Sequence, residues 1–242
     1  MRKISRLIKI ACLIKSLLVV IAATLLFCSQ IFAESLLTGI NKDCHNAAEL
    51  DTAYNADYLS RLEKAIIFEM NKARTNPRDY AESEIKPMLK RFIGNKYFFN
   101  NKSYKTIEGK AAVEECIRYL NNVKPSGLLY PDEELSRAAR AHMIDQGTNG
   151  SIGHIGSDQS TPMKRVKKYA QRDYSFIGEN ISYGLTSVGE IVSFLLVNDG
   201  MPSRKHREIL MNPKVNLTGV SCGYHKVYKT MCVIVYGRLL DN

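Results

Sequence analysis

The chain has 242 residues, 45% of them hydrophobic, and 34 Lys+Arg against 24 Asp+Glu give a formal charge of +10. Five of the bases (Arg2, Lys3, Arg6, Lys9 and Lys15) and none of the acids fall in the first 33 residues, so the remainder carries only +5. That is an ordinary surface with a basic tilt, which argues against a nucleic-acid binder. The length beyond residue 33 suits one domain with a substantial core, and no later segment is long and apolar enough to span a bilayer.

A basic start, an apolar run from Ser16 to Cys28 and the small-residue site Ile31-Phe32-Ala33 make residues 1–33 a secretory signal peptide. The rival is an uncleaved anchor, but Lys15 leaves about 13 apolar residues where roughly 20 are needed to span. A lipid anchor at Cys28 is disfavoured by the bulky Phe27 before it. Residues 34–57 read as an arm. Leu59, Leu62, Ile66, Met70 and Ala73 recur at helical spacing over 58–74, and Asn76-Pro77 ends that helix. A second helix over 78–92 is interrupted near Pro87, and Gly94–Gly109 reads as an irregular loop.

Residues 110–121 are helical, with Val113, Cys116, Ile117 and Leu120 on one face. Asp132 caps a helix over 133–146, and Thr161-Pro162 opens a short one to Tyr169. Ser187 to Glu190 forms a capping box before Ile191–Val197, and Ser203 caps a last short helix that contains His206. The period then changes: 219–224 and 230–236 alternate as paired strands, and 175–183 supplies a third around Glu179. Helices first and strands last predict an α+β fold, with helices packed on a small antiparallel sheet.

Four cysteines remain beyond the leader: Cys44, Cys116, Cys222 and Cys232. An even count in an exported chain suggests disulfides, with three connectivities open. Cys222 and Cys232 suit a cross-strand pair in the hairpin; the alternative is two buried free thiols. Cys44–Cys116 would then tie the arm to the body.

The chemistry lies in three segments: Gly153-His154-Ile155-Gly156-Ser157-Asp158, Gly178-Glu179-Asn180-Ile181, and Pro202-Ser203-Arg204-Lys205-His206-Arg207. Two imidazoles and a carboxylate, His154, His206 and Glu179, leave coordination positions open on zinc or another divalent cation. Asn180 and Asp158 could orient them, and Asp199 is a weaker second acid. Other polar residues have plainer readings. His142 sits on an apolar helical face as a core histidine, Glu190 is a helix cap, His225 is a solvated hairpin tip, and Arg204, Lys205 and Arg207 form a solvated basic patch.

These segments, together with Asn71-Lys72-Ala73-Arg74-Thr75-Asn76-Pro77, Asn212-Pro213 and Gly219-Val220-Ser221-Cys222-Gly223, resemble the CAP superfamily in its bacterial style, the SCP-like extracellular domain, over 58–242. The resemblance implies an α-β-α sandwich with a central cleft lined by two His and two acids. His154, Glu179 and His206 match, Asp199 stands near the fourth place, and Ile209 replaces a family asparagine. Some members bind zinc through the two His, some bind sterols or fatty acids, and most have no established catalysis. The expectation is a monomeric, metal-binding module, secreted or in the periplasm or cell envelope, that engages a lipid, glycan or protein ligand and no nucleic acid. The alternatives are a metal- or Ser157/His-assisted hydrolase, though no nucleophile elbow surrounds Ser157, and a structural or adhesive envelope protein using the 94–109 loop.

Overall fold

Ser60 opens the first long helix reciprocally: its hydroxyl accepts from the Glu63 amide, and the Ser60 N–H donates to the Glu63 carboxylate at 2.7 Å. The computed structural model describes residues 47–240; the leader, the arm up to residue 46 and Cys44 lie outside them. Helix α1 (Arg61–Thr75) buries Ile66, Ile67, Met70 and Ala73. Ala53 and Ala56, expected at the end of an arm, join the same core. Pro77 starts the short helix α2 (Pro77–Tyr80), with the Asn76 side chain accepting from the Asp79 amide. The expected second helix does not run on as α. It widens to a π turn over Ala81–Ile85 and tightens to a 3-10 turn over Lys86–Arg91, around Pro87, which has no N–H to donate.

Half of the predicted loop over 94–109 is sheet. Strands β1 (Phe92–Ile93), β2 (Lys96–Phe99) and β3 (Lys102–Lys105) pair antiparallel. Asn100 and Asn101, both at positive φ, make the tight turn between β2 and β3. Tyr97 is fully buried and packs edge-on against Phe92 and Phe194.

Helix α3 (Lys110–Asn122) and strand β4 (Tyr130–Pro131) precede helix α4 (Glu133–Asn149), whose first turn is capped by Asp132 accepting from the Leu135 amide. Thr161 caps helix α5 (Pro162–Tyr169) in the same way. Strand β5 (Tyr174–Tyr183) leads to helices α6 (Val188–Val197) and α7 (Lys205–Leu210), then to the hairpin β6 (Leu217–His225) and β7 (Lys229–Leu239). The main sheet runs β4-β6-β7-β5; only the β4–β6 pair is parallel. One face packs on α4 and α5 through Leu135, Ala138, Val166, Ile181 and Val235. The other packs on α1, α3 and α6 through Met70, Cys116, Leu196, Ile234 and Tyr236. The result is an α-β-α sandwich.

Glycines let α4 lie directly on β6. A Cβ on Gly219 would stand 2.1 Å from the Ser136 nitrogen, and one on Gly147 would stand 2.3 Å from the Tyr224 carbonyl oxygen. Cys222 faces Cys232 across the β6–β7 ladder and the two are disulfide-bonded. Cys116, the expected partner of Cys44, is instead a free thiol. It is fully buried among the α3 core residues, where a bridge from the N-terminal segment would have to enter packed hydrocarbon, and that burial pushes its thiol up to about 12.

Three local expectations fail for tertiary reasons. Neither Ser187 nor Ser203 makes a capping bond; α7 starts from Arg204 in the left-handed region, φ 50°. Glu190 turns inward, where Tyr97 donates to it at 3.3 Å and Arg91 lies 3.7 Å away. His225 is buried rather than solvated. Its Nε2 donates to the Ser151 carbonyl, and its Nδ1 accepts from the amides of Val227 and Tyr228.

Burial raises the Glu190 carboxyl from the ordinary range to about 7. A folded-state value above the unfolded one contributes stability at acid pH that is lost as pH rises through about 7. Glu190→Gln is therefore expected to raise unfolding free energy at pH 8 by about 1 kcal/mol, and not at pH 4.5, in urea titrations; the half-exposed Arg91 beside Glu190 limits the gain. Gly219→Ala is expected to cost about 2–3 kcal/mol at any pH, because its methyl meets helix backbone that cannot swing aside.

Candidate functional site

Strand β5 is an edge of the main sheet, and its pleat sends successive side chains to opposite faces. Glu179 points to the α4/α5 face and Asn180 to the other. Each serves one of the two histidines.

Glu179 is 1% exposed at its side chain. His154 Nδ1 donates to its Oε1 at 2.9 Å, and Arg165 donates to its Oε2 at 2.7 Å. His142, fully buried on α4, stands 3.9 Å from the same carboxylate. Glu179 sits at the centre of β5, paired with Val235. Arg165 also donates to the carbonyls of His154 at 3.1 Å and Ser160 at 2.8 Å, so one guanidinium fixes both the carboxylate and the loop that carries His154. Gly153, at φ 98°, is held on both sides. Its carbonyl accepts from His142 and Gln146, and its N–H donates to the Tyr183 hydroxyl. The His154 ring is thus anchored through Nδ1 and half-exposed; in the neutral ring this bond leaves Nε2 as the lone pair.

On the opposite face, Asn180 donates to the His206 carbonyl at 2.9 Å and to the Tyr236 hydroxyl. Asn198, the left-handed residue that ends α6, holds the ring. Its Oδ1 accepts from the His206 amide at 3.0 Å, which turns its Nδ2 toward His206 Nδ1, also at 3.0 Å. An amide NH2 can only donate, so His206 Nδ1 accepts and Nε2 carries the proton. Burial, and then the nearby His154, hold the His206 imidazole below its ordinary range. His206 is therefore within electrostatic reach of His154.

The structure joins His154 to Glu179 directly, leaves His206 within electrostatic reach of His154, and sends Asp199 elsewhere. The Asp199 carboxylate accepts three backbone amides, from Ile107, Glu108 and Gly109, and ties the β3–α3 connection to the segment before α7. Ser157 is not positioned at His154; its hydroxyl donates to Asp145 at 2.6 Å. Asp158 accepts from the Ser160 amide and does not orient the site. Arg204 and Arg207 are not a solvated patch. Arg204 pairs with Glu108 and Glu115, and the buried Arg207 pairs with Glu115 and lies over the Tyr119 ring; Lys205 is the exposed member. Arg165 and Asn198 were missed from sequence, and no local pattern marks either.

A divalent cation does not fit this donor set as arranged. His154 offers a lone pair when neutral, but His206 offers an N–H, and the carboxylates of Glu179 and Asp199 already accept from His154 and Arg165 and from three backbone amides respectively. Among the described residues, no three His, Cys, Asp or Glu side chains cluster so as to hold a metal ion.

Residues 117–236 match the model of the cysteine-rich secretory protein family, CAP. The curated proteins contain no match. Solved structures similar to the chain include an outer surface protein from Borrelia burgdorferi, at 24% identity over 56% of this chain and 98% of that one, TM-score 0.41. Another is an extracellular protein containing an SCP domain from Bacillus anthracis, at 24% identity over 50% of this chain and 36% of that one, TM-score 0.37. A third is a cysteine-rich secretory protein from Staphylococcus aureus, at 16% identity over 66% and 48%, TM-score 0.34.

Burial lowers the pKa of both His142 and His206. A depressed imidazole contributes stability that is present above its unfolded value of about 6.5 and is lost as pH falls through the folded one. Unfolding free energy is expected to drop from pH 7 to pH 5, and His206→Gln is expected to make that drop shallower by about 1 kcal/mol in denaturant titrations; an unchanged slope would refute the assignment of a buried neutral ring.

Proposed function

We propose, on the premise that residues 117–236 are a CAP domain, that the chain is an exported binding module whose two cleft histidines grip one uncharged polar group of a lipid, glycan or protein ligand. The observation that carries this reading is the opposite polarity of the rings. His154 Nε2 accepts and His206 Nε2–H donates, so a hydroxyl or amide between them donates to the first and accepts from the second. Both rings are held from behind by bonded partners, so little side-chain entropy is lost when a ligand arrives. Glu179 acts through His154: it accepts from Nδ1, which leaves Nε2 of the neutral ring free, and Arg165 holds the carboxylate in place.

Among the described residues, no free nucleophile stands at the rings, which favours a binding reading over a catalytic one. The Ser157 hydroxyl is committed to Asp145, and Glu179 is shielded by its own donors. Export follows from the leader-like composition of residues 1–33 and from the secretory character of the family. Among the described residues, no helix is long and apolar enough to cross a membrane.

Asn198→Asp tests the polarity. A carboxylate there accepts from both the His206 amide and Nδ1–H, which moves the ring proton and frees Nε2 for coordination. Zinc titration followed by calorimetry is expected to show weak binding to the wild type and at least about tenfold tighter binding to Asn198→Asp. Wild-type zinc binding as tight as the variant's, and abolished in His154→Ala/His206→Ala, would replace this reading with a divalent-metal site. Lipid and glycan arrays probed with the wild type and the double His variant supply the second check: a captured ligand must be lost with the histidines, and equal capture by both proteins would sink the proposal.

A further inference from the structure

The small β1–β2–β3 sheet has two unlike faces. Register fixes which residues share each one, because side chains directly opposite across an antiparallel pair lie on the same side. Phe92, Tyr97 and Tyr104 form one row, and Tyr97 is fully buried, so that row turns to the core. Ile93, Lys96 and Lys105 form the next row across all three strands, and Phe98 pairs with Ser103 beyond it. These side chains share the opposite face. All five residues are exposed, Ile93 at 74% and Phe98 at 39%.

Two features of this face work against the isolated fold. Lys96 and Lys105 stand directly opposite one another, and like charges so placed destabilise a sheet. Lysines on edge strands discourage pairing with another sheet, but Lys96 is on the central strand. Beside them, Ile93 and Phe98 leave apolar surface in water. No acid answers the charge. Residues 85–107 contain Lys86, Lys90, Arg91, Lys96, Lys102 and Lys105 and neither Asp nor Glu. Among the described residues, Lys90, Lys96, Lys102 and Lys105 make no ion pair. Carboxylates on the neighbouring elements are engaged elsewhere. Glu82 pairs with Lys86 and Glu84 with Lys72, Glu190 accepts from Tyr97 on the inner face, Glu108 pairs with Arg204, and Asp199 accepts three backbone amides.

A partner for this face must supply negative charge and accept apolar side chains over one patch. A soluble polyanion meets the first need and leaves Ile93 and Phe98 in water. An uncharged apolar surface meets the second and buries two ammonium groups. An anionic bilayer meets both, with acidic headgroups at the level of the lysines and acyl chains beneath them. We propose that the outer face of the β1–β2–β3 sheet docks on anionic phospholipid, with Lys96 and Lys105 on the headgroups and Ile93 and Phe98 entering the interface beside them. Tyr97, packed edge-on against Phe194, holds the sheet on α6 and so presents the face ready-made. Neither cleft histidine takes part, so the proposal does not depend on the cleft reading.

The chain has no tryptophan, so Phe98→Trp places a single reporter on the face. Both cores lie within the described residues, so the chain from Glu34 on keeps the fold and lacks the apolar leader, which would enter lipid by itself. On vesicles of equal parts phosphatidylglycerol and phosphatidylcholine, the emission is expected to shift to the blue and to be quenched by brominated lipid. On phosphatidylcholine alone neither is expected. Tyr224→Trp, a more exposed site on β6, is expected to stay unquenched. Adding Lys96→Thr/Lys105→Thr to the reporter protein is expected to weaken vesicle affinity at least about tenfold, at about fivefold per lysine. Adding His154→Ala/His206→Ala is expected to leave it unchanged, which separates failure of this face from failure of the cleft. The proposal is overturned by an unshifted reporter on the anionic vesicles, by equal binding to the neutral ones, by affinity that survives loss of both lysines, or by equal quenching at position 224. If the double Lys variant does not fold, Lys105→Thr on the edge strand decides, with an expected loss of about fivefold.

Discussion

A carboxylate with almost no access to water, set at the middle of an edge strand, is the constraint around which this domain is organised. Burying Glu179 alone would cost several kcal/mol, and removing one partner of such a buried pair typically costs about 3–5 kcal/mol. Arg165 answers the charge at 2.7 Å, and His154 takes the second oxygen at 2.9 Å. Arg165 is itself held by carbonyls of the loop that carries His154. Helix α5, that loop and strand β5 therefore hold one another in place through a single ion pair. His142 adds a third polar group from α4, so both helices of that layer reach the same atom cluster.

The strand's other face carries an analogous arrangement with neutral groups. Asn180 reaches the His206 backbone, and its neighbour Tyr236 touches Met70 in α1. Asn198 then sets the His206 ring through both of its amide atoms. The histidines thus differ in kind. One is backed by a carboxylate and presents a lone pair; the other is backed by an amide and presents a proton.

A second set of contacts secures the segment between α6 and α7. Asp199 gathers three amides at the start of α3, while Arg204 and Arg207 reach Glu108 and Glu115 on the same stretch. Arg204 adopts a left-handed backbone to do so, a conformation that its ion pairs and its bonds to the Asn198 and Met201 carbonyls can hold in place. The small β1–β3 sheet sits on this region through Tyr97 and Phe194. What looks from composition like a basic surface is mostly an internal brace.

Local periodicity and capping chemistry were enough to read α1, α3, α4 and α5, the Asp132 and Thr161 caps, the β6–β7 hairpin and strand β5, because those signals act between residues at most four apart. The three segments bearing His154, Glu179 and His206 were legible as well, through their glycines and their order. The Asn100-Asn101 turn was also written locally, though it was passed over as loop. Sequence could not reveal where side chains with a choice of partners would go. Glu190 had a serine to cap with and went to Tyr97; Asp199 had a cleft to join and took three amides; His225 had a hairpin tip and became buried. In each case a long-range partner outcompeted the local one, since a buried polar group must be satisfied and only the packed chain determines which donors are within reach. The roles of Arg165 and Asn198, and with them the hydrogen bonding of the His154 and His206 rings, belong to the tertiary structure for the same reason: the atoms that decide them come from elements brought together only by folding.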